Sequence, residues 1–146
     1  MKKCIAFVLA IICVISIVGC SNKETMAKET TVWDWAQGMK RADITCVTPW
    51  SNGKTFKALN KAETRELVML LNKLTQDSFT ENKDLTGGTP TFGIEIVIDS
   101  ETYHLNEYNG PNGRIELVMY NEKQWIIDDT DLFTFIQGVT GNVTSE

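Results

Sequence analysis

Apolar and polar positions change rhythm several times along the chain. From Cys4 to Gly19 the residues are continuously apolar except for Ser16. The next stretch, SNKETMAKETT over 21–31, is polar with one Met. Residues 42–50 then alternate β-branched and apolar side chains with others, the period of a strand, and Pro49 suggests an edge or a strand end. Asn52-Gly53 is a turn dipeptide, and 54–59 can return as a second strand to close a hairpin. Within this first strand Ile44 and Cys46 share one face.

The period lengthens over 61–75. Leu67, Leu70, Leu71 and Leu74 fall at i, i+3, i+4 and i+7, on one side of a helix. Asn60 is placed as N-cap, with Glu63 at the capping-box position. A loop over 76–91, containing Gly87-Gly88-Thr89-Pro90, follows. Alternation then resumes. Phe92, Ile94, Ile96 and Ile98 form one set, Tyr103 and Leu105 a second, and Ile115, Leu117 and Met119 a third. A short strand over 124–127 completes the series. The breaks at 99–101, 109–113 and 121–123 suit hairpin turns, so the strands form an antiparallel meander with one apolar face. Acids at Asp128, Asp129 and Asp131 ahead of Leu132, Phe133 and Ile136, with Gly138 after them, mark a short final helix. The fold class expected is α+β: an antiparallel sheet, hairpin plus meander, with two helices packed on one face.

The apolar start follows Lys2 and Lys3 and is shorter than the ~20 residues needed to cross a bilayer core. A basic start, a short apolar run and a small residue at its end describe a secretory signal peptide. Its last four residues, Ile17-Val18-Gly19-Cys20, resemble the lipobox of bacterial lipoproteins: an aliphatic residue, two smaller ones, and a Cys. Val18 stands where Ala or Ser is more usual. The resemblance implies recognition of Ile17, Val18 and Gly19 by the signal peptidase, cleavage after Gly19, and a covalent diacylglyceryl group on Cys20. The implied location is the extracytoplasmic face of the cell membrane. Each buried methylene contributes roughly 0.8 kcal/mol, so two acyl chains hold where one is marginal.

The expected organisation is a signal peptide over 1–19, lipidated Cys20 and a flexible tether over 20–31, one globular domain over 32–139, and a polar tail over 140–146. Glu63-x-x-Glu66-Leu67-x-x-Leu70-Leu71-Asn72, then the meander and Trp125-Ile126-Ile127 before a capped helix, resembles small lipoproteins of low-GC Gram-positive bacteria. The resemblance covers most of the mature chain and implies fold and compartment, with no activity attached to particular residues.

Processing changes the meaning of the cysteine count and the charge. Of the four Cys, Cys4 and Cys13 leave with the leader and Cys20 carries lipid, so Cys46 is the one thiol of the mature chain. A buried Cys acts as a small hydrophobe. The formal charge falls from −5 to −7, because Lys2 and Lys3 go with the leader and no acid does. An acidic chain is a poor nucleic-acid ligand, since phosphates require Lys and Arg.

Candidate chemistry is sparse. His104 is the one histidine, set on a strand face with Asn106, and no G-x-S-x-G elbow accompanies it. One His and one free Cys do not make a zinc site. The Asp128 to Asp131 acids lack the frame of a calcium loop. Glu95, Glu107 and Glu116 lie on strands, where two of them can face each other. Trp33 and Trp35, flanking Asp34 just after the tether, present flat faces suited to sugars or partner proteins when exposed, and cap the open end of the sheet when packed.

The functional expectation is therefore a membrane-anchored, non-enzymatic binding domain with no cofactor beyond its lipid. Its partner would be a protein, a peptide or a cell-wall component, with Trp33 and Trp35 as the binding surface. The alternative is a small surface hydrolase using Cys46, His104 or a carboxylate pair.

Overall fold

The computed structural model describes residues 30–85, 87–108 and 113–141. Residues 1–29, Thr86, residues 109–112 and residues 142–146 lie outside them, so the expected signal peptide, Cys20 and most of the expected tether fall outside the described residues. Three helices and seven strands follow in the order α1 (Val32–Gly38), β1 (Ile44–Ser51), β2 (Lys54–Thr55), α2 (Lys61–Lys73), β3 (Phe79–Glu81), β4 (Phe92–Ile98), β5 (Glu101–Glu107), β6 (Arg114–Tyr120), β7 (Lys123–Asp128) and α3 (Thr130–Val139). A single 3₁₀ turn, Gln76–Ser78, leads from α2 into β3.

The strands make one sheet in the order β2-β1-β4-β5-β6-β7-β3, with every neighbouring pair antiparallel. The meander β4 to β7 sits in the middle. The hairpin β1–β2 extends it on one side, and β3 closes the other edge against β7, with Phe79 opposite Ile127. The α+β class read from the patterning is the architecture observed.

One face of the sheet is dry. Val47, Ile94, Ile96, Leu105, Ile115, Leu117 and Ile127 project from successive strands and are all essentially buried. Against them lie Leu67, Leu71 and Leu74 of α2, Leu132 and Ile136 of α3, and Val32, Ala36 and Met39 of α1. Burying one such side chain stabilises the fold by about 1.5–3 kcal/mol.

The helix ends follow from local chemistry. Asn60 accepts hydrogen bonds from the amides of Ala62 (2.8 Å) and Glu63 (3.1 Å), while the Glu63 carboxylate accepts from the Asn60 amide at 2.7 Å. Asp129 caps α3 by accepting from the Leu132 amide at 2.8 Å. Two helices were expected, and the structure adds a third. Thr31 and Asp34 form a capping box that starts α1, where Val32, Ala36 and Met39 recur at i, i+4 and i+7 and are buried.

Helix α1 is lashed to α2 by polar contacts to orphan carbonyls. The Asn72 amide donates to the carbonyls of Ala36 (2.8 Å) and Met39 (3.2 Å), and Gln37 donates to Leu74 O at 3.2 Å. Helix α1 is thereby fixed over the end of the sheet where β6 turns into β7.

Candidate functional site

Helical geometry separates the two tryptophans of α1. Residues two apart on a helix point about 200° from each other. Trp35 turns inward, its ring 5.2 Å from Tyr103 and 5.5 Å from Tyr120. Trp33 faces the other way, into an open groove of about 860 Å³. The two residues therefore do not form one surface: the structure assigns Trp33 to a concavity and Trp35 to an aromatic cluster.

Three segments build the groove. The start of α1 contributes Thr30 to Asp34, the 3₁₀ turn and β3 contribute Gln76, Asp77 and Phe79, and the β6–β7 hairpin contributes Tyr120, Asn121, Lys123 and Trp125. The hairpin turn has φ of 50° at Asn121 and 62° at Glu122, the positive pair of a type I′ turn, whose twist matches that of its strands. The turn presents Asn121 to the incoming chain. The Asn121 amide and the Tyr120 hydroxyl each donate to the Thr30 carbonyl at 3.2 Å, and Tyr120 also reaches Thr31 O at 3.4 Å.

The lining mixes flat apolar surface with charge. Lys123 Nζ lies 6.0 Å from the centre of the Trp125 ring and 3.6 Å from a Glu81 carboxylate oxygen. Asp34 is engaged by the Thr31 amide at 3.4 Å. The indole N–H groups of Trp33 and Trp125 are both shielded from water and have no acceptor among the described residues. The Trp35 indole N–H, outside the groove, is in the same state, so these unmet donors, at about 1–3 kcal/mol each, do not single the groove out.

On the other side of Tyr120 a second concavity of about 420 Å³ is bounded by Glu101, Tyr103 and Glu122. The Tyr103 hydroxyl donates to Glu101 at 2.6 Å. Burial, and secondarily that bond to a carboxylate, push its pKa up to about 12. Tyr103 is thus a neutral hydrogen-bond donor at any physiological pH.

His104 and Cys46 lie on the sheet face opposite the helices. His104 Nδ1 is 3.7 Å from Glu95 Oε1 across the β4–β5 pair, with both side chains over two-fifths exposed. Surface pairs of this kind contribute little, about 0–1 kcal/mol. Cys46 is half-buried, its sulfur 3.5 Å from Thr48 Oγ1. It stands on β1, with β4 between it and His104. Two strand spacings are about 10 Å, whereas a thiol–imidazole couple requires hydrogen-bond contact.

The three strand acids are also apart. Glu107 is buried and accepts from the Thr91 amide (3.0 Å) and hydroxyl (2.5 Å). Glu116 accepts from Asn82 at 3.2 Å, and Glu95 holds His104. Asp128 pairs with Arg114 at 3.3 Å while Asp129 caps α3. Among the described residues no three His, Cys, Asp or Glu side chains gather as a metal site, and no helix is long and apolar enough to cross a bilayer.

Sequence reasoning reached Trp33 but missed Phe79, Lys123 and Asp77 as its neighbours. These come from β3 and the 3₁₀ turn, too short to show a period, and from a hairpin whose position depends on sheet order. The signal overlooked at α1 was Thr31-x-x-Asp34, a capping-box spacing ahead of an i, i+4, i+7 apolar series. No family model matches this chain, no curated protein matches it, and no solved structure matches it.

Proposed function

We propose that this chain is a lipid-anchored extracytoplasmic domain that binds a protein, peptide or cell-wall component through the Trp33 groove. The supporting observation is where the chain enters the fold: Thr30 lies on the lip of the groove, held there by Tyr120 and Asn121. Ten residues link Cys20 to Thr30. Such a link spans at most about 35 Å extended and about 17 Å as a random coil. A groove at the exit of so short a tether works close to the bilayer surface, where a ligand in the membrane-proximal envelope is within reach. Its aromatic floor and polar rim are the usual composition of ligand-binding concavities.

Cell fractionation tests the anchor. The wild-type chain is expected in the membrane fraction, with an N-terminal mass showing a diacylglyceryl-modified Cys20. Cys20→Ala is expected to be released or left unprocessed. A Cys20→Ala chain that is cleaved and retained like wild type would overturn the proposal.

A further inference from the structure

Side chains alone hold α1 to the body of the fold. Among the described residues no backbone–backbone hydrogen bond joins 30–39 to another segment. The Asn72 amide donates to the Ala36 and Met39 carbonyls, the Gln37 amide to Leu74 O, and Tyr120 and Asn121 to the Thr30 carbonyl. The apolar hold is Val32, Ala36 and Met39, with the Trp35 ring against Tyr103 and Tyr120. Seven residues are too few for a helix that persists in water by itself, so α1 is helical because it is seated.

The seat leaves polar groups unsatisfied. Four buried side-chain polar atoms lack a partner among the described residues, and three of them are the indole nitrogens of Trp33, Trp35 and Trp125. Two belong to α1, and the third lines the groove that α1 walls. Neither α2 nor α3 carries such an atom. A donor buried without an acceptor opposes the packing that buries it. Lifting α1 returns the Trp33 and Trp35 donors to water, which offsets part of the lost apolar burial.

The connection to β1 suits a hinge. Lys40 to Asp43 are exposed. They form a turn in which the Asp43 amide donates to Lys40 O at 3.0 Å and the Ile44 amide to Arg41 O at 3.4 Å. Strand pairing begins beyond it, with Ile44 opposite Ile98. The sheet, α2 and α3 keep a buried set of their own, including Leu67, Leu71, Ile94, Leu105 and Ile136. Local opening draws on segments with few buried apolar contacts at the edge of such a core.

We infer that residues 30–39 form a strap that detaches as one unit about the 40–43 turn while the sheet, α2 and α3 stay folded, removing one wall of the Trp33 groove and uncovering Tyr103 and Tyr120. The strap carries both Trp33 and the point where the preceding chain enters, so its opening and the shape of the groove are one event. It rests on the packing of α1 and not on any ligand, and stands or falls apart from the binding role.

Native-state hydrogen exchange on the full chain in detergent micelles, read residue by residue in rising urea, tests the strap. Amides from Trp35 to Gly38 should exchange together, about a hundredfold or more faster than those of Leu71 and Leu105, and with little of the urea dependence of global unfolding. Asn121→Gly removes the amide that holds Thr30 and suits the positive φ of the turn. It should speed exchange in α1 several-fold and leave Leu71 and Leu105 unchanged. If the α1 amides share the rate and urea slope of Leu71 and Leu105, the helix leaves only in global unfolding and the strap is overturned. Rates that decline one residue at a time from Thr31, with no common opening, mean fraying and overturn it too. So does an Asn121→Gly chain in which all three elements speed up equally.

Discussion

Replacing Gly93 by Ala adds one methyl group where the sheet leaves no room for it. A Cβ at Gly93 would lie 2.5 Å from Asn106 Oδ1, 2.6 Å from the Leu105 carbonyl oxygen and 3.0 Å from Trp50 Nε1. The amide and the indole belong to side chains that can move. The Leu105 carbonyl belongs to the backbone of β5, and Gly93 is paired with Asn106 on that strand, so relief requires the two central strands to part by most of an ångström. Overpacking of this kind costs about 1–3 kcal/mol. Against it, Ala restricts the unfolded chain and gains about 0.4–1 kcal/mol.

The balance is a loss of about 1–2 kcal/mol, and at about 4–8 °C per kcal/mol for a domain near this size the melting temperature should fall by several degrees or more. Thermal and urea unfolding followed by far-UV circular dichroism measure this directly. The backbone contact can be isolated with Asn106→Ala, which removes the amide oxygen but leaves the Leu105 carbonyl. Gly93→Ala should still destabilise when introduced into Asn106→Ala. A Gly93→Ala chain that melts at or above wild type would refute the close-approach argument.

Three further outcomes are expected. Leu71→Ala removes a fully buried side chain from the α2–sheet contact and should cost about 2–5 kcal/mol in urea unfolding; a cost under 1 kcal/mol would mean that α2 is not seated as described. Asn72→Ala leaves the Ala36 and Met39 carbonyls without their donor and should cost about 1–3 kcal/mol, with faster hydrogen exchange in α1 than in α2; equal acceleration in both would argue against a latch specific to α1. For Tyr103, the folded pKa near 12 lies above the unfolded value of about 10. Its contribution to stability is therefore complete below about pH 10 and is lost as pH rises from there through 12. Absorbance titration at 295 nm should show the Tyr103 step late, and Glu101→Gln should bring that step down; a Glu101→Gln chain with an unchanged profile would remove Glu101 from the explanation.

The elements most legible in the sequence were those with a repeated period. Leu67, Leu71 and Leu74 announced α2, and Ile94, Ile96 and Leu105 announced the dry face, because burial on one side of a regular element imposes its period on the residues. Short elements escaped. Phe79–Glu81 has three residues and is a strand only because β7 offers it an edge. The groove was legible in one residue only. Trp33 and Trp35 read as a pair along a line of text, and became separate once Thr31 and Asp34 wound that segment into a helix. Lys123 and Phe79 belong to the groove through strand order, which places β7 beside β3, and no local pattern encodes that neighbour relation.

The hydrogen bonds at Thr30 also determine how the molecule carries a load. If the chain hangs from the membrane by its N-terminus, any pull reaches the fold first at the Thr30 carbonyl, and Tyr120 and Asn121 pass it to the tip of the β6–β7 hairpin. Strands β6 and β7 are interior to the sheet, flanked by β5 and β3, so the force is spread across paired backbone instead of unwinding the seven residues of α1. The same contacts hold Thr30 and Trp33 in fixed relation. Tension that broke them would deform the groove, coupling its shape to how hard the tether is drawn.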